Sequence, residues 1–102
     1  MAEKDPFLAL VIYSTTTETQ VQKADNIVKL AEERLRGASG LIRARVFLSE
    51  DGESLVTLTE WSDRDSFQKF REGDFGRAAT AVMAGAHPKA YWLRQHAAVG
   101  TP

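Results

Sequence analysis

The sequence of 102 residues contains no cysteine, which excludes disulfide bonds, thiol catalysis and cysteine-ligated metals. No apolar run approaches the roughly 20 residues needed to cross a bilayer. The first residues, MAEKDP, also lack the apolar segment of a secretory signal peptide. These absences predict a soluble, cytoplasmic protein with no membrane partner.

An excess of charge of either sign is also missing. The 13 lysines and arginines nearly balance the 14 aspartates and glutamates, and the net charge is −1. Proteins whose main partner is a nucleic acid or an anionic membrane surface usually present a basic patch. We therefore expect neither partner.

Several catalytic signatures are absent as well. There is no glycine-rich phosphate loop, no G-x-S-x-G elbow and no Ser-His-Asp order. The two histidines, His87 and His96, have no carboxylate at a fixed spacing, so they do not make a metal site. The sequence predicts no metal ion.

What is present is an ordinary globular composition, with 43% hydrophobic residues. The length predicts one domain over residues 1–102, with an ordered core of about residues 7–98. The first element, residues 7–15, is almost continuously apolar, which is typical of a strand buried on both faces.

An amphipathic helix follows this strand. Thr17 and Gln20 match the capping-box pattern at its start, and Gly37 is placed to end it. A hairpin comes next, with strands predicted over residues 41–48 and 55–61 around an Asp51-Gly52 turn. In its first strand, alternation places four apolar residues on the same face: Ile42, Ala44, Val46 and Leu48. Arg43 and Arg45 alternate with these residues and could meet an anionic group. We expect them instead to pair with acids at the surface or the dimer interface, given Glu50, Glu53 and Glu60 nearby in sequence.

The stretch over residues 55–70, LVTLTEWSDRDSFQKF, changes from a strand to a helix. Period two places Thr57, Thr59 and Trp61 on one face of the strand. Ser62 is the predicted N-cap of the helix, with Asp65 completing a capping box. Inside the helix, an i, i+3 aromatic pair follows: Phe67 and Phe70. A tryptophan at such a junction predicts a pocket.

A kink at residues 72–74 leads to a further helical stretch over residues 75–84, which a glycine and a proline end. The last predicted strand covers residues 89–98, with Trp92, Arg94 and His96 on one face. The order β-α-β-β-α-β predicts an α+β, ferredoxin-like fold with an antiparallel sheet and both helices on the same face. Because the first strand is apolar on both faces, a second copy of the chain is expected to cover the open face, as a homodimer.

The element order, the hairpin ending in GESLVTLTEW and the W-S-D-R-D-S-F junction resemble the antibiotic biosynthesis monooxygenase superfamily. The resemblance covers residues 7–97. It implies small domains that dimerise sheet to sheet into a dimeric α+β barrel. The same architecture serves cofactor-independent oxygenases, haem-degrading enzymes, polyketide cyclases and proteins without assigned chemistry.

The resemblance also implies site residues. The cofactor-independent oxygenases carry an Asn-x-x-x-Trp motif, in which Trp61 matches the tryptophan and Thr57 stands at the asparagine position. Phe67 stands where those enzymes have an aromatic hydroxyl, and Arg77 is nearest to their helical arginine. The haem-degrading branch has an asparagine on the first strand and a helical histidine as iron ligand. In this chain the polar candidates at the asparagine position are Ser14 and Thr15. His87 lies outside the helix, beside Pro88.

We predict an apolar pocket between sheet and helices, lined by Tyr13, Trp61, Phe67, Phe70 and Trp92. Such a lining suits a flat polycyclic or phenolic ligand. His87 is the candidate base, because imidazole exchanges protons near neutral pH. Thr57 is the candidate contact to a substrate oxygen, with Trp61 beside the ring, and the additional candidate substrate contacts are Thr59 and Arg77. Each has a structural alternative: Trp61 as a packing residue, the threonines as ordinary strand residues, His87 as an exposed loop residue.

The resemblance implies oxidation of an aromatic, polyketide-like phenolic intermediate in antibiotic biosynthesis, with no cofactor held by the chain. Two alternatives stay open: a non-oxidative polyketide cyclase acting in the same pocket, and a ligand-binding dimer without turnover.

Overall fold

The structure, a computed structural model, describes residues 5–100. Its elements in chain order are β1 (Phe7–Ser14), α1 (Gln20–Arg34), β2 (Leu41–Leu48), β3 (Ser54–Trp61), α2 (Arg64–Arg71), α3 (Asp74–Val82) and β4 (Lys89–Arg94). The strands form one antiparallel sheet in the order β2-β3-β1-β4. This confirms the predicted ferredoxin-like α+β arrangement, with the second helix divided into α2 and α3.

All three helices lie on one face of the sheet. The pairing of β1 with β3 sets Phe7 opposite Trp61 and Tyr13 opposite Leu55, so these residues share the helix-covered face. Two core clusters form there, one around Tyr13 and Leu55 and the other around Trp61. The predicted common face of Thr57, Thr59 and Trp61 is this inner face.

The predicted start of α1 is wrong. The reciprocal bonds join Thr16 and Thr19, each backbone N–H donating to the other's Oγ1 at 3.1 and 3.2 Å. Gln20 does not cap the helix because its side chain turns inward. Its Nε2 donates to the carbonyl oxygens of Ser49 at 3.0 Å and Ser54 at 2.8 Å, which ties α1 to both ends of the β2–β3 turn. That turn is as predicted, with Gly52 at a φ of +79°.

A β-bulge changes the facing of β2. Leu41 pairs with Trp61 and Arg43 with Glu60, so Ile42 is an extra residue on its strand. The predicted common face is therefore wrong for Ile42, which is 57% exposed, while Leu41 joins Ala44 and Val46 on the inner face. On the outer face, Arg43 and Arg45 both bind the Glu60 carboxylate, as expected.

The start of α2 is one residue later than predicted. The N-cap is Asp63 and not Ser62, since the Asp63 carboxylate accepts from the Ser66 N–H at 2.7 Å. The Ser62 N–H donates to the Gly40 carbonyl at 2.7 Å, which ties the residue after β3 to the residue before β2. At the other end of the chain, β4 stops at Arg94. The predicted extension of this strand over residues 95–98, which includes His96, is therefore wrong.

Candidate functional site

Trp61, at the end of β3, is the centre of an aromatic cluster. Its ring centroid lies 5.7 Å from that of Phe67 and 4.9 Å from that of Phe70. The side chain is completely buried, and its indole N–H donates to Thr59 Oγ1 at 2.8 Å. Trp61 thus supports the two phenylalanines from behind.

A pocket of about 310 Å³ lies on the other side of these phenylalanines, between α2, α3 and the β1–β4 half of the sheet. We call it the aromatic pocket. Its aromatic lining comes from five residues: Tyr13, Phe67, Phe70, Phe75 and Trp92. Four of the five predicted pocket residues are therefore brought together, and the fifth, Trp61, lies behind the wall.

A smaller cavity of about 60 Å³ lies deeper, between α1, α3 and the sheet, and contains the two threonines of β3. We call it the threonine cavity. Tyr13, Phe75 and Ala79 line both spaces, so these residues form the wall between them. Thr57 and Thr59 therefore face the threonine cavity and not the aromatic pocket.

Tyr13 is the polar residue common to the two spaces. It is 9% exposed, and its hydroxyl has no hydrogen-bond partner within residues 5–100. Burial raises the pKa of its phenol above the usual value near 10.0. At neutral pH the phenol therefore carries its proton, and the hydroxyl is free to donate to a ligand.

Close packing between α2 and α3 sets the shape of the pocket's helical wall. The side chain of Phe70 stacks on that of Phe75 with centroids 4.5 Å apart, which joins α2 to α3. Gly76 permits this packing because a Cβ there would overlap the carbonyl oxygen of Arg71. The junction between α2 and α3 thus forms one wall of the aromatic pocket.

A larger groove of about 480 Å³ runs between α1 and the edge strand β2. Its lining is mainly aliphatic, from residues such as Val28, Leu35 and Val46, with Glu32 and Arg36 as its charged members. Because neither Tyr13 nor an aromatic side chain lines it, we place the candidate site in the aromatic pocket despite its smaller volume.

The model of the antibiotic biosynthesis monooxygenase family matches residues 7–81. The chain belongs to this family. The tetracenomycin-F1 monooxygenase of Streptomyces glaucescens is 28% identical over 64 residues, a match that covers 63% of this chain and only 57% of that protein.

Solved structures show the same fold. The monooxygenase from the ActVA-Orf6 gene of Streptomyces coelicolor, in complex with nanaomycin D, has a TM-score of 0.81 at 21% identity, covering 96% of this chain and 94% of that chain. A mutant of SnoaB, a cofactor-independent oxygenase from Streptomyces nogalater, has a TM-score of 0.72 at 15% identity, covering 96% and 100%.

The remaining predicted residues of this family member lie near the pocket's outer side. Arg77 is exposed on α3 and paired with Asp74. It lines a third space of about 400 Å³, the outer cavity, together with three residues that also line the aromatic pocket: Arg71, Gly76 and Thr80. His87 is exposed in the turn before β4 with a φ of +48°, and its neighbour Pro88 lines the aromatic pocket.

Sequence reasoning missed Arg71, Phe75 and Thr80 as pocket residues. Phe75 is the first residue of the helical stretch predicted over residues 75–84, but the pattern does not say that its side chain meets a cavity. Arg71 and Thr80 gave no signal, because polar residues on a helix usually face solvent.

Across residues 5–100, no group of three or more histidine, aspartate or glutamate side chains is arranged to hold a metal ion. In the same part of the chain, no helix is long and apolar enough to cross a membrane.

Proposed function

We propose that the protein is a monooxygenase that oxidises a flat phenolic compound of the aromatic polyketide type, bound in the aromatic pocket. The observation that carries this proposal is the position of Tyr13, which lines both the aromatic pocket and the threonine cavity. Its phenol is protonated at neutral pH, and its hydroxyl has no hydrogen-bond partner within residues 5–100. Aromatic walls with a few polar groups are typical of sites for planar ligands.

Family membership and the relatives support the same chemistry. A tetracenomycin-F1 monooxygenase, a monooxygenase in complex with nanaomycin D and a cofactor-independent oxygenase are all similar to this chain. We infer that this protein likewise acts without a bound cofactor, in the biosynthesis of an antibiotic.

In the proposed reaction, a methylene carbon of the phenolic substrate loses a proton, and the resulting carbanion transfers one electron to dioxygen. The substrate radical and superoxide combine to a peroxide. Protonation of the outer oxygen and loss of the second C–H proton then break the O–O bond. The products are a carbonyl and one water, so that one methylene and one dioxygen are consumed. The protein's contribution is deprotonation, orientation and exclusion of water.

We assign the proton donor to Tyr13. The family's aromatic hydroxyl position is Phe67 in this chain, which has no proton to give. Tyr13 supplies a phenol to the same pocket from β1 instead. The threonine cavity is too small for an aromatic ring but large enough for dioxygen. Thr57 is the proposed contact to oxygen at this end, since its hydroxyl has no hydrogen-bond partner within residues 5–100.

Oxygen uptake tests the oxidation. Purified protein mixed with an anthrone-type phenol is expected to consume one dioxygen per substrate, faster than the spontaneous reaction measured with heat-denatured protein. No uptake above that background on several such phenols would contradict the oxygenase. A product of unchanged oxidation state would indicate the cyclase, and binding without turnover would indicate the ligand-binding dimer.

The candidate base, His87, is tested separately with His87→Ala in the same assay. If His87 removes the substrate proton, turnover falls by roughly 10²-fold or more and the pH dependence of the rate changes. Unchanged turnover would assign deprotonation to solvent or to another group, and would leave the oxygenase proposal standing.

A further inference from the structure

Arg71, the last residue of α2, lies at the rim of the aromatic pocket with its guanidinium over an aromatic ring. Its Cζ is 5.0 Å from the ring centroid of Trp92, which in turn packs edge-on against Phe67 at 5.0 Å. A cation–π contact does not use the N–H groups of a guanidinium, which stay available to an acceptor. Arg71 thus contacts the pocket wall through Trp92, while its N–H groups have no hydrogen-bond acceptor within residues 5–100.

No acidic side chain within residues 5–100 forms an ion pair with Arg71. The nearby acids are engaged elsewhere. Asp74 pairs with Arg77, and the Glu72 carboxylate accepts from Gln68 Nε2 at 3.1 Å. Arg71 is therefore a cation with no paired carboxylate in the described part of the chain, and it lies at the exposed rim of an apolar pocket.

The outer cavity continues from this rim. It shares Arg71, Gly76 and Thr80 with the aromatic pocket and adds Arg77, whose charge is paired with Asp74, so within residues 5–100 Arg71 is the unpaired cation among its lining residues. A ligand long enough to pass from Tyr13 to the rim would therefore contact a phenol at one end, aromatic rings along its length and a guanidinium at the other.

We propose that Arg71 recognises a carboxylate on the substrate, so that the enzyme selects an aromatic acid over a neutral phenol of the same shape. This inference rests on the proposed function, because it takes the aromatic pocket as the substrate site. A carboxylate matches the fork of N–H donors on arginine in both charge and geometry, which a neutral amide does not.

The test compares two ligands of equal shape, anthraquinone-2-carboxylate and anthraquinone-2-carboxamide, by isothermal titration calorimetry. The wild-type protein is expected to bind the carboxylate about tenfold more tightly than the carboxamide. Arg71→Gln should lose about tenfold for the carboxylate and stay within about twofold for the carboxamide. Arg71→Lys should keep part of the preference, and added salt should reduce it.

Arg64→Gln is the matched control, because it removes the same charge from the opposite end of the same helix. It should leave both affinities unchanged. Equal loss of both ligands in Arg71→Gln would mean that Arg71 only supports Trp92, and would overturn the inference. Equal affinities in the wild type, or a preference that survives in Arg71→Gln, would overturn it as well.

The outcomes separate this inference from the proposed function. If neither ligand binds, carboxylate recognition is wrong, and oxygen uptake with anthrone-type phenols then decides the proposed function separately. If both ligands bind equally, the aromatic pocket is supported as the ligand site and carboxylate recognition is contradicted. If the Arg71-dependent preference is found but anthrone-type phenols cause no oxygen uptake, recognition of an acid is supported and the proposed oxidation is contradicted.

Discussion

Thr59 and Thr57 lie two residues apart on the same face of β3, yet their hydroxyls have different surroundings. Thr59 Oγ1 accepts the indole N–H of the fully buried Trp61 at 2.8 Å. The Thr57 hydroxyl has no such partner within residues 5–100. The alternation pattern of the strand predicts the same environment for both threonines. Their contacts in the fold give Thr59 a structural role and leave Thr57 as the candidate catalytic residue.

Thr59→Val is predicted to lower the free energy of unfolding by about 1–3 kcal/mol, because the indole N–H of Trp61 would stay buried without an acceptor. Thr57→Val, which keeps the same volume and removes a hydroxyl without a partner, should cost much less. Urea unfolding of both variants measures this difference. Equal destabilisation by the two variants would contradict the assigned role of Thr59.

Tyr13→Phe is predicted to reduce kcat by about 10²-fold with an anthrone-type substrate, since it removes the proton donor and keeps the ring. Affinity for the substrate and thermal stability should change little, because the hydroxyl has no partner within residues 5–100. The matched control is Tyr91→Phe, which makes the same change on the opposite face of the sheet. A Tyr13→Phe variant with unchanged kcat would remove Tyr13 as the donor.

At the scale of elements, α2 supplies three residues of the pocket wall, including the residue at its rim. It presents Phe67 and Phe70 to Trp61 and to the pocket, and it carries Arg71 at its C-terminal end. Eight residues make only about two turns, and such a short helix depends strongly on its caps and its packing. The N-cap is therefore the point at which a single surface side chain affects the whole pocket wall.

Asp63→Ala is predicted to destabilise the protein by about 0.5–2 kcal/mol, because the Ser66 N–H loses its acceptor at the first turn of α2. Ser62→Ala, at the position that the pattern favoured, should have a smaller effect, since the Ser62 backbone bond to Gly40 does not involve its side chain. Thermal unfolding of the two variants is the measurement. A larger loss of stability in Ser62→Ala than in Asp63→Ala would indicate that Ser62 is the N-cap.

At the scale of the whole molecule, the uncovered face of the sheet is largely apolar. Its apolar residues come from all four strands: Leu8, Leu10, Ile12, Phe47, Val56, Leu58, Tyr91 and Leu93. Those of β1 and β3 are half-buried by neighbouring side chains, while Phe47, Tyr91 and Leu93 are exposed. A face of this extent and composition is typical of an interface, and a second copy of the chain is the partner that we propose.

The protein is therefore predicted to be a homodimer at micromolar concentration, as measured by light scattering after gel filtration. Leu10→Glu is expected to give a monomer, because it places a charge at the centre of the open face, opposite Leu58 and Tyr91. Val21→Glu is the control, since Val21 is exposed on α1, away from that face. A monomeric wild-type protein would contradict the prediction.

The sequence by itself determined the order of the elements, the hairpin, the helix-covered face of β3 and four of the five predicted pocket residues. These features depend on local periodicity and on turn residues such as Gly52, which act over a few neighbouring positions. The family resemblance was visible for the same reason, because it rests on the order of elements and on one contiguous junction.

Only the tertiary structure decided the remaining features, because they depend on contacts between residues distant in the chain. The Gln20 side chain does not cap α1 but donates to carbonyl oxygens 29 and 34 residues away in sequence. A bulge in β2 turns Ile42 to the outer face. Packing of α3 against the sheet encloses Thr57 in a cavity separate from the aromatic pocket, with Tyr13 between them. The position of Arg71 over Trp92 likewise requires β4 to pair with β1, which no local pattern in α2 specifies.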